Sequence, residues 1–138
     1  MVYGIGCDLC SIARMEKSLL GSHGAVFARR VFGPAEQAAL GLPLAEEEDT
    51  ARRTAHTVAS AAADFAAKEA FLKAAGTGLR EPFSLCEIEA VRLPGGAPAY
   101  RFSGRSAQWV EARRLRAHLS LSHEGGMAMA YCILETET

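Results

Sequence analysis

The chain has 138 residues, of which 49 % are hydrophobic, and its formal net charge is −1. This length suits one domain with a real core, predicted to cover residues 1–138, and the near-neutral charge gives no sign of nucleic-acid binding. No apolar run approaches the ~20 residues that span a bilayer, and the N-terminus lacks the pattern of a signal peptide, so we expect a cytoplasmic protein without membrane association.

The first third of the sequence predicts one strand and three short helices. Val2–Cys7 has the pattern of a short core strand. Ser11 is a favourable N-cap for a helix that Gly21 ends. Ala25–Phe32 favours a second helix, and Pro34 starts a third, because proline is tolerated in the first helical turn.

A long helix is predicted in the middle of the chain. Residues 50–75 are rich in alanine and contain neither proline nor glycine, which favours one continuous helix that ends at Gly76. The acidic run Glu46–Asp49 precedes it and is interpreted as a solvated helix start or loop.

The next segment predicts two strands and a helix. Leu85–Leu93 and Ala99–Phe102 have strand composition and are joined around Gly95-Gly96. Ser103 is a suitable cap for a following helix that carries Trp109, Val110 and Leu115.

The last segment predicts a strand pair joined by a tight turn at Gly125-Gly126. In His118–His123 the residues alternate, with Leu119 and Leu121 on one face and the polar His118, Ser120 and Ser122 on the other. Met127–Glu135 follows as an apolar strand. The complete pattern predicts an α+β fold, with a three- to five-stranded, mainly antiparallel sheet covered by a long helix and shorter helices.

The four cysteines agree with reduced, mostly buried thiols. Cys7 and Cys10 form a C-x-x-C motif, but no second pair supplies the further ligands that zinc needs. A redox motif remains an alternative, and two core thiols are the simpler interpretation.

Lys68, Glu69 and Lys73 are the first candidates for chemistry. Glu69 and Lys73 lie one turn apart on the long helix and share a face. They could form an ordinary surface ion pair. Alternatively, Glu69 ligates a divalent cation and Lys73 meets a phosphate.

The turn Gly76-Thr77-Gly78 follows these residues directly. Two glycines around a threonine let backbone N–H groups approach an anion without an intervening Cβ. The same three residues are also a plain helix stop.

Asp8 follows the first strand and has two interpretations. It could cap the following helix, or it could be the second carboxylate of a metal site. Magnesium is usually held by one or two carboxylates together with phosphate oxygens and waters, so Asp8 and Glu69 suit Mg²⁺ if the fold brings them together.

Ser122 and His123 suggest a hydrolase at first sight. A catalytic triad needs a serine on a sharp turn and an acid that orients the histidine, and the sequence shows neither. A phosphate-binding or structural role is the better interpretation.

Three separated segments together resemble the holo-[acyl-carrier-protein] synthase type of 4′-phosphopantetheinyl transferase. Their order and spacing also match, so the resemblance covers nearly the whole chain. The segments are Gly4-Ile-Gly-Cys-Asp-Leu-Cys-Ser-Ile-Ala-Arg14, then Phe65-Ala-Ala-Lys-Glu-Ala70 with Lys73 and Gly76-Thr-Gly78, then Leu119-Ser-Leu-Ser-His123 with Ala128–Ala130 and Ile133–Glu135.

The resemblance implies a small α+β fold assembled as a homotrimer, with active sites between neighbouring subunits. It implies transfer of phosphopantetheine from coenzyme A to a serine of an acyl carrier protein, with release of 3′,5′-ADP. The carrier protein could belong to fatty-acid biosynthesis or to a polyketide or peptide pathway.

The resemblance also assigns roles to residues of this chain. Asp8 and Glu69 would ligate Mg²⁺ on the pyrophosphate of coenzyme A. Lys73 and the turn Gly76-Thr77-Gly78 would hold phosphate oxygens. His123 would lie near the nucleotide, with Ser122 supporting its strand. Contacts to the acidic recognition helix of the carrier protein would come from Arg14, Phe27 and Arg30.

These residue types suit phosphoryl transfer, which depends mainly on positioning and on neutralising oxygens. The attacking serine needs a base, for which Glu69, a metal-bound water and a carrier-protein carboxylate are all candidates.

One position departs from the family pattern. Asp64 stands where the resemblance leads us to expect an arginine that helps to hold the 3′-phosphate of coenzyme A. A carboxylate there would repel a phosphate, and its spacing from Lys68 would allow an ion pair that occupies this cation. Glu124 is a second acidic residue close to the expected nucleotide.

Three explanations of Asp64 are open at this point. The enzyme is active and another basic residue, such as Arg52 or Arg53, takes the place of the arginine. The enzyme prefers a donor without the 3′-phosphate. Or the protein is a repurposed paralogue that binds a carrier protein or a biosynthetic complex without transferring anything.

Overall fold

The structure, a computed structural model, describes residues 1–44 and 51–137, and from 51 to 53 the backbone alone. The acidic run Glu46–Asp49 and the side chains of Arg52 and Arg53, which figured in the sequence predictions, therefore lie outside the described residues.

The chain order of the elements follows the predicted order closely. The first part contains strand β1 (Val2–Ser11) and helices α1 (Ile12–Leu20), α2 (Gly24–Val31), α3 (Pro34–Leu40) and α4 (Ala51–Ala75). The second part contains a 3₁₀ turn (Leu85–Glu87), β2 (Ile88–Arg92), β3 (Pro98–Phe102), α5 (Gly104–Ala112), β4 (Leu115–Glu124) and β5 (Met127–Thr136). None of the described helices is long and apolar enough to cross a lipid bilayer.

Helix α1 begins and ends where its capping residues predict. The Ser11 hydroxyl accepts a hydrogen bond from the backbone N–H of Arg14 at 3.3 Å, and the N–H of Gly21 donates to the carbonyl of Lys17 at 3.0 Å. These bonds satisfy backbone groups that would otherwise lack partners at the two ends of the helix.

The predicted α+β fold class is confirmed, but the strands form two sheets. One sheet has the order β1-β5-β4 and the other consists of β2 and β3, and every pairing is antiparallel. Leu115, predicted on the last helix, is instead the first residue of β4. The chain reverses at Arg114, whose φ of 51° is incompatible with a continued helix.

Helix α4 packs unusually closely against β1 because Gly4 and Gly6 face it. A Cβ on Gly4 would collide with the carbonyl oxygen of Ala74, and one on Gly6 with the carbonyl oxygen of Ala70. Only glycine permits this approach of strand and helix backbones. The close packing fixes the helix beside the next inward-facing residue of β1, which is Asp8.

Most of the core lies between α4 and the two sheets. Phe71 of α4 is fully buried and packs against Phe102 with ring centroids 4.9 Å apart and against Phe83 at 5.4 Å. Aromatic pairs in such tilted and edge-to-face arrangements add stability beyond the area they bury. This cluster holds the β2–β3 sheet against the C-terminal half of α4.

Candidate active site

Asp8, Glu69 and Lys73 come together at the junction of β1 and α4. The Nζ of Lys73 donates to Oδ1 of Asp8 at 2.9 Å and to the carbonyl of Cys7 at 3.0 Å. Burial raises the pKa of Glu69 and the neighbouring Asp8 carboxylate raises it further, while Lys73 opposes the shift. The fold thus brings both predicted carboxylates close enough to repel each other, with one cation between strand and helix.

The composition of this cluster suits a divalent cation such as Mg²⁺. Both carboxylates are hard oxygen donors, and in residues 1–44 and 51–137 no group of three histidine, cysteine, aspartate or glutamate side chains is placed to hold a metal ion. Magnesium tolerates such an incomplete protein site, because it keeps waters and binds substrate phosphates in its remaining positions. Asp8 and Glu69 are therefore the residues that would hold it.

Lys68 does not belong to this cluster, although the sequence grouped it with Glu69 and Lys73. Its side chain is completely buried and forms an ion pair with Glu36 of α3. Its Nζ also donates to the carbonyls of Leu85 at 3.1 Å and Ile88 at 2.6 Å. Because all of these partners are structural, Lys68 ties α3 and β2 to α4 and is not available to a phosphate.

The turn after α4 is a helix stop in this structure. Gly76 and Gly78 have φ of +81° and +64°, and the N–H groups of Gly76, Thr77 and Gly78 all point to the carbonyl of Leu72, at 3.1, 3.4 and 3.4 Å. In this structure these N–H groups therefore close the end of the helix, as in the helix-stop interpretation. The predicted contact between Gly76-Thr77-Gly78 and coenzyme A remains a prediction.

Ser122 and His123 lie at a cavity of about 730 Å³ bounded by α3, α4, β2 and the end of β4. Small side chains form much of the wall, and the polar residues among those that line it are His56, Ser60, Asp64, Arg92, Ser122 and His123. Asp8, Glu69 and Lys73 do not line this cavity. The predicted site residues are therefore divided between two places on this chain.

Asp64 is buried in the wall of this cavity with an exposed fraction of 4 %. Its Oδ1 has no hydrogen-bond partner, and Nη2 of Arg92 approaches it to 3.7 Å. The predicted ion pair of Asp64 with Lys68 is wrong, since Lys68 pairs with Glu36. Burial, followed by the Glu36 carboxylate, raises the pKa of Asp64 from 3.8 to about 7, against the attraction of Arg92 and Lys68.

The two residues of the C-x-x-C motif point to opposite sides of β1. Cys7 is exposed, Cys10 is half-buried, and both are free thiols. A strand alternates its side chains with period two, so a spacing of three separates the two sulfur atoms. The interpretation as two core thiols is thus wrong for Cys7, and this spacing does not suit a redox pair.

The predicted carrier-protein contacts lie on α1 and α2. Arg14 and Arg30 are exposed, and Phe27 is half-buried with its ring edge-to-face on Phe32 at a centroid distance of 6.3 Å. The two helices pack on each other at the end of β1 that follows Asp8. Arg14 and Arg30 are thus presented to solvent on two neighbouring helices.

Comparisons with known proteins show the family to which the chain belongs. Residues 4–132 match the family model of the 4′-phosphopantetheinyl transferase superfamily. The holo-[acyl-carrier-protein] synthase of Bordetella pertussis is 41 % identical over 97 % of this chain and 83 % of its own length. The chain belongs to the holo-[acyl-carrier-protein] synthase family.

Solved structures of this family share the fold. The holo-[acyl-carrier-protein] synthase of Neisseria meningitidis has a TM-score of 0.77 and 31 % identity, covering 99 % of this chain and 100 % of that one. The synthase of Bacillus anthracis, solved in complex with CoA (3′,5′-ADP), has a TM-score of 0.73 and 31 % identity, with 99 % of both chains covered. The predicted family and α+β fold are confirmed.

The structure brings one residue to the cavity of this holo-[acyl-carrier-protein] synthase family member that sequence reasoning missed. Arg92, from β2, contributes the guanidinium nearest to Asp64 in the cavity wall. Nothing in the sequence selects it, because it lies far from the recognised motifs and joins Asp64 only through the packing of β2 on α4.

Replacing Asp64 by asparagine is expected to stabilise the protein at alkaline pH. The pKa of Asp64 is higher in the folded than in the unfolded protein, so the unfolded state releases this proton at a lower pH. The free energy of unfolding therefore falls as pH rises from about 4 to 7. Asparagine does not titrate, so the variant keeps its stability over this pH range. The difference in free energy of unfolding between Asp64→Asn and the parent should therefore be larger at pH 8 than at pH 5 by roughly 1–4 kcal/mol.

Denaturant unfolding of both proteins at the two pH values measures this difference. Glu16→Gln, at an exposed position of α1, is the matched control and should behave like the parent. An equal effect of Asp64→Asn at pH 5 and pH 8 would contradict a titrating, buried Asp64.

Proposed function

We propose that the protein transfers 4′-phosphopantetheine from coenzyme A to a serine of an acyl carrier protein, with Mg²⁺, and releases 3′,5′-ADP. The observation that carries this proposal is the placement of Asp8 and Glu69 beside Lys73 in a chain of this family. The complex of the Bacillus anthracis relative with CoA (3′,5′-ADP) supports coenzyme A as the donor.

The residues of the cluster divide the work of phosphoryl transfer. When bound by Asp8 and Glu69, Mg²⁺ would polarise the pyrophosphate and ease departure of the nucleotide. The Lys73 side chain is 55 % exposed and flexible. It can therefore move from Asp8 to a phosphate oxygen once another cation neutralises the Asp8 carboxylate. The serine oxygen then forms the new bond to phosphorus, the bond to 3′,5′-ADP breaks, and the serine proton passes to a base.

We further propose that the carrier protein binds α1 and α2 through Arg14, Phe27 and Arg30. Two exposed guanidinium groups suit an acidic surface, and the half-buried ring of Phe27 offers an apolar contact. Because α1 directly follows the strand that carries Asp8, a carrier bound there would reach the carboxylate pair.

The transfer assay tests the proposal directly. The protein is incubated with Mg²⁺, coenzyme A and an apo carrier protein, and the mass of the carrier is measured. We expect the carrier to gain one phosphopantetheine group. No gain, with a correctly folded protein and a carrier that a known synthase modifies, would refute the proposed activity and leave the alternative of a carrier-binding paralogue.

The outer face of the β1-β5-β4 sheet supports the proposed homotrimer. On β1 and β5 the side chains of this face are apolar and exposed, among them Ile5 at 58 %, Leu9 at 59 % and Tyr131 at 40 %. On β4 the exposed side chains are polar, namely Arg116, His118, Ser120 and Ser122. A contiguous apolar face of this kind is typical of a protein interface. The separation of the carboxylate pair from the cavity on one protomer also favours a site shared between copies.

Placing a charge on this face is expected to break the assembly. Ile133→Glu would bury a carboxylate between the subunits, which strongly disfavours association. Sedimentation velocity should show trimers for the parent and mainly monomers for the variant. Leu93→Glu, at an exposed leucine outside this sheet, is the control and should remain trimeric. A trimeric Ile133→Glu variant would contradict an interface on this face.

A further inference from the structure

The cavity beside Asp64 contains one permanently charged cation among the described residues that line it. That residue is Arg92, whose side chain is 43 % exposed. The other basic side chains of the lining are His56 and His123. Lys68 lies behind the wall, fully engaged by Glu36 and two backbone carbonyls.

Arg92 also covers the one buried carboxylate of the cavity wall. Its Nη2 lies 3.7 Å from Oδ1 of Asp64, close enough for an ion pair and too far for a hydrogen bond. A guanidinium has five N–H donors, and at this distance Asp64 engages none of them fully. Arg92 therefore neutralises Asp64 and still has donors to offer to an anion that enters the cavity.

Which anion enters follows from the proposed function, on which this inference rests. Coenzyme A carries a pyrophosphate and a 3′-phosphate. The pyrophosphate is assigned to Asp8, Glu69 and Lys73, and none of these three residues lines the cavity. The phosphate that remains for the cavity is the one on the 3′ position of the ribose.

We propose that Arg92 binds the 3′-phosphate of the donor nucleotide and shields it from Asp64. The sequence led us to expect a positive charge at position 64, or a substitute such as Arg52 or Arg53. In this proposal Arg92 provides that charge from β2. On this basis the protein retains selectivity for a 3′-phosphorylated donor although an aspartate occupies that position of α4.

Binding of two nucleotides, without any carrier protein, tests the role of Arg92. Calorimetry compares adenosine 3′,5′-bisphosphate with adenosine 5′-monophosphate. Arg92→Ala should weaken binding of the bisphosphate by about 10- to 100-fold, since a hydrogen bond between charged groups contributes roughly 1.5–3 kcal/mol. Binding of the monophosphate should change by less than about threefold, because it lacks the group that Arg92 meets.

Two further variants sharpen the comparison. Arg101→Ala removes an exposed arginine from the neighbouring strand β3 that does not line the cavity, and should leave both affinities unchanged. Adding Asp64→Asn to Arg92→Ala should recover part of the lost affinity at pH 8, because it removes the carboxylate that Arg92 no longer covers.

An equal loss of affinity for both nucleotides, or no loss for either, would overturn the assignment of the 3′-phosphate to Arg92. Absence of recovery in the double variant would overturn the shielding of Asp64. Because no transfer is measured, a failed transfer assay leaves this result intact. Conversely, if the parent transfers normally and Arg92→Ala binds both nucleotides as the parent does, the inference is refuted and the proposed function stands.

Discussion

Glu69→Gln and Asp8→Asn are each expected to reduce phosphopantetheine transfer by at least about a thousandfold, since a divalent cation contributes several kcal/mol of charge stabilisation in such reactions. The described protein offers only these two carboxylates at the site, so losing one removes half of the protein's contribution to the metal. Raised Mg²⁺ should restore part of the rate.

Glu69→Gln should be as stable as the parent without Mg²⁺. The pKa of Glu69 is raised in the folded protein, so folding disfavours the ionised carboxylate. Ionisation of Glu69 therefore lowers the free energy of unfolding as pH rises through the folded pKa. Replacing it by neutral glutamine relieves the repulsion with Asp8. We therefore expect a loss of activity without a loss of thermal stability.

Initial rates followed by mass spectrometry of the carrier, over a range of Mg²⁺ concentrations, measure the effect. Glu111→Gln, an exposed glutamate of α5, is the matched control and should transfer at the parental rate. If both Asp8→Asn and Glu69→Gln transfer at near-parental rates, the two residues do not hold the metal.

The second large effect is expected from Lys68→Met, which should lower the free energy of unfolding by about 3–5 kcal/mol, the usual consequence of leaving one charge of a buried pair without its partner. Glu36 would keep its hydrogen bonds from the backbone N–H groups of Gly33 and Ala90, at 3.1 and 3.0 Å. It would nevertheless lose the only cation that forms an ion pair with it among the described residues.

Urea unfolding of the two proteins measures this difference, and Lys17→Met, at an exposed lysine of α1, should change stability by no more than about 0.5 kcal/mol. A loss below about 1 kcal/mol for Lys68→Met would contradict a structural ion pair. Because Lys68 joins α4 to α3 and β2, which bound the cavity proposed to hold the 3′-phosphate, the variant should also bind adenosine 3′,5′-bisphosphate more weakly.

The sequence alone was sufficient for the local elements. Ser11 and Gly21 bound α1 as predicted, because capping depends on a few neighbouring backbone groups. The alternation in β4 correctly separated Leu119 and Leu121 from Ser120 and Ser122. It also implies that Ser122 and His123 point to opposite faces, which is a second reason to reject a serine–histidine pair.

The sequence was less reliable where a choice depended on distant partners. It could not tell that the strands divide into two sheets, since strand pairing is decided by packing across the whole chain. It grouped Lys68 with Glu69 because they are neighbours, whereas adjacent helical residues point in different directions. Lys68 turns to Glu36 and Glu69 turns to Asp8.

By itself, the sequence determined the family and the order of the elements, because both are written in local patterns and motifs, and it predicted Asp8 and Glu69 as the residues that would hold a metal. Only the tertiary structure decided which charges meet. Gly4 and Gly6 allow α4 to approach β1, and this places Asp8 beside Glu69 and Lys73. The packing of β2 on α4 places Arg92 over Asp64. Electrostatic interactions depend on distance and burial in space, and neither can be read from separation along the chain.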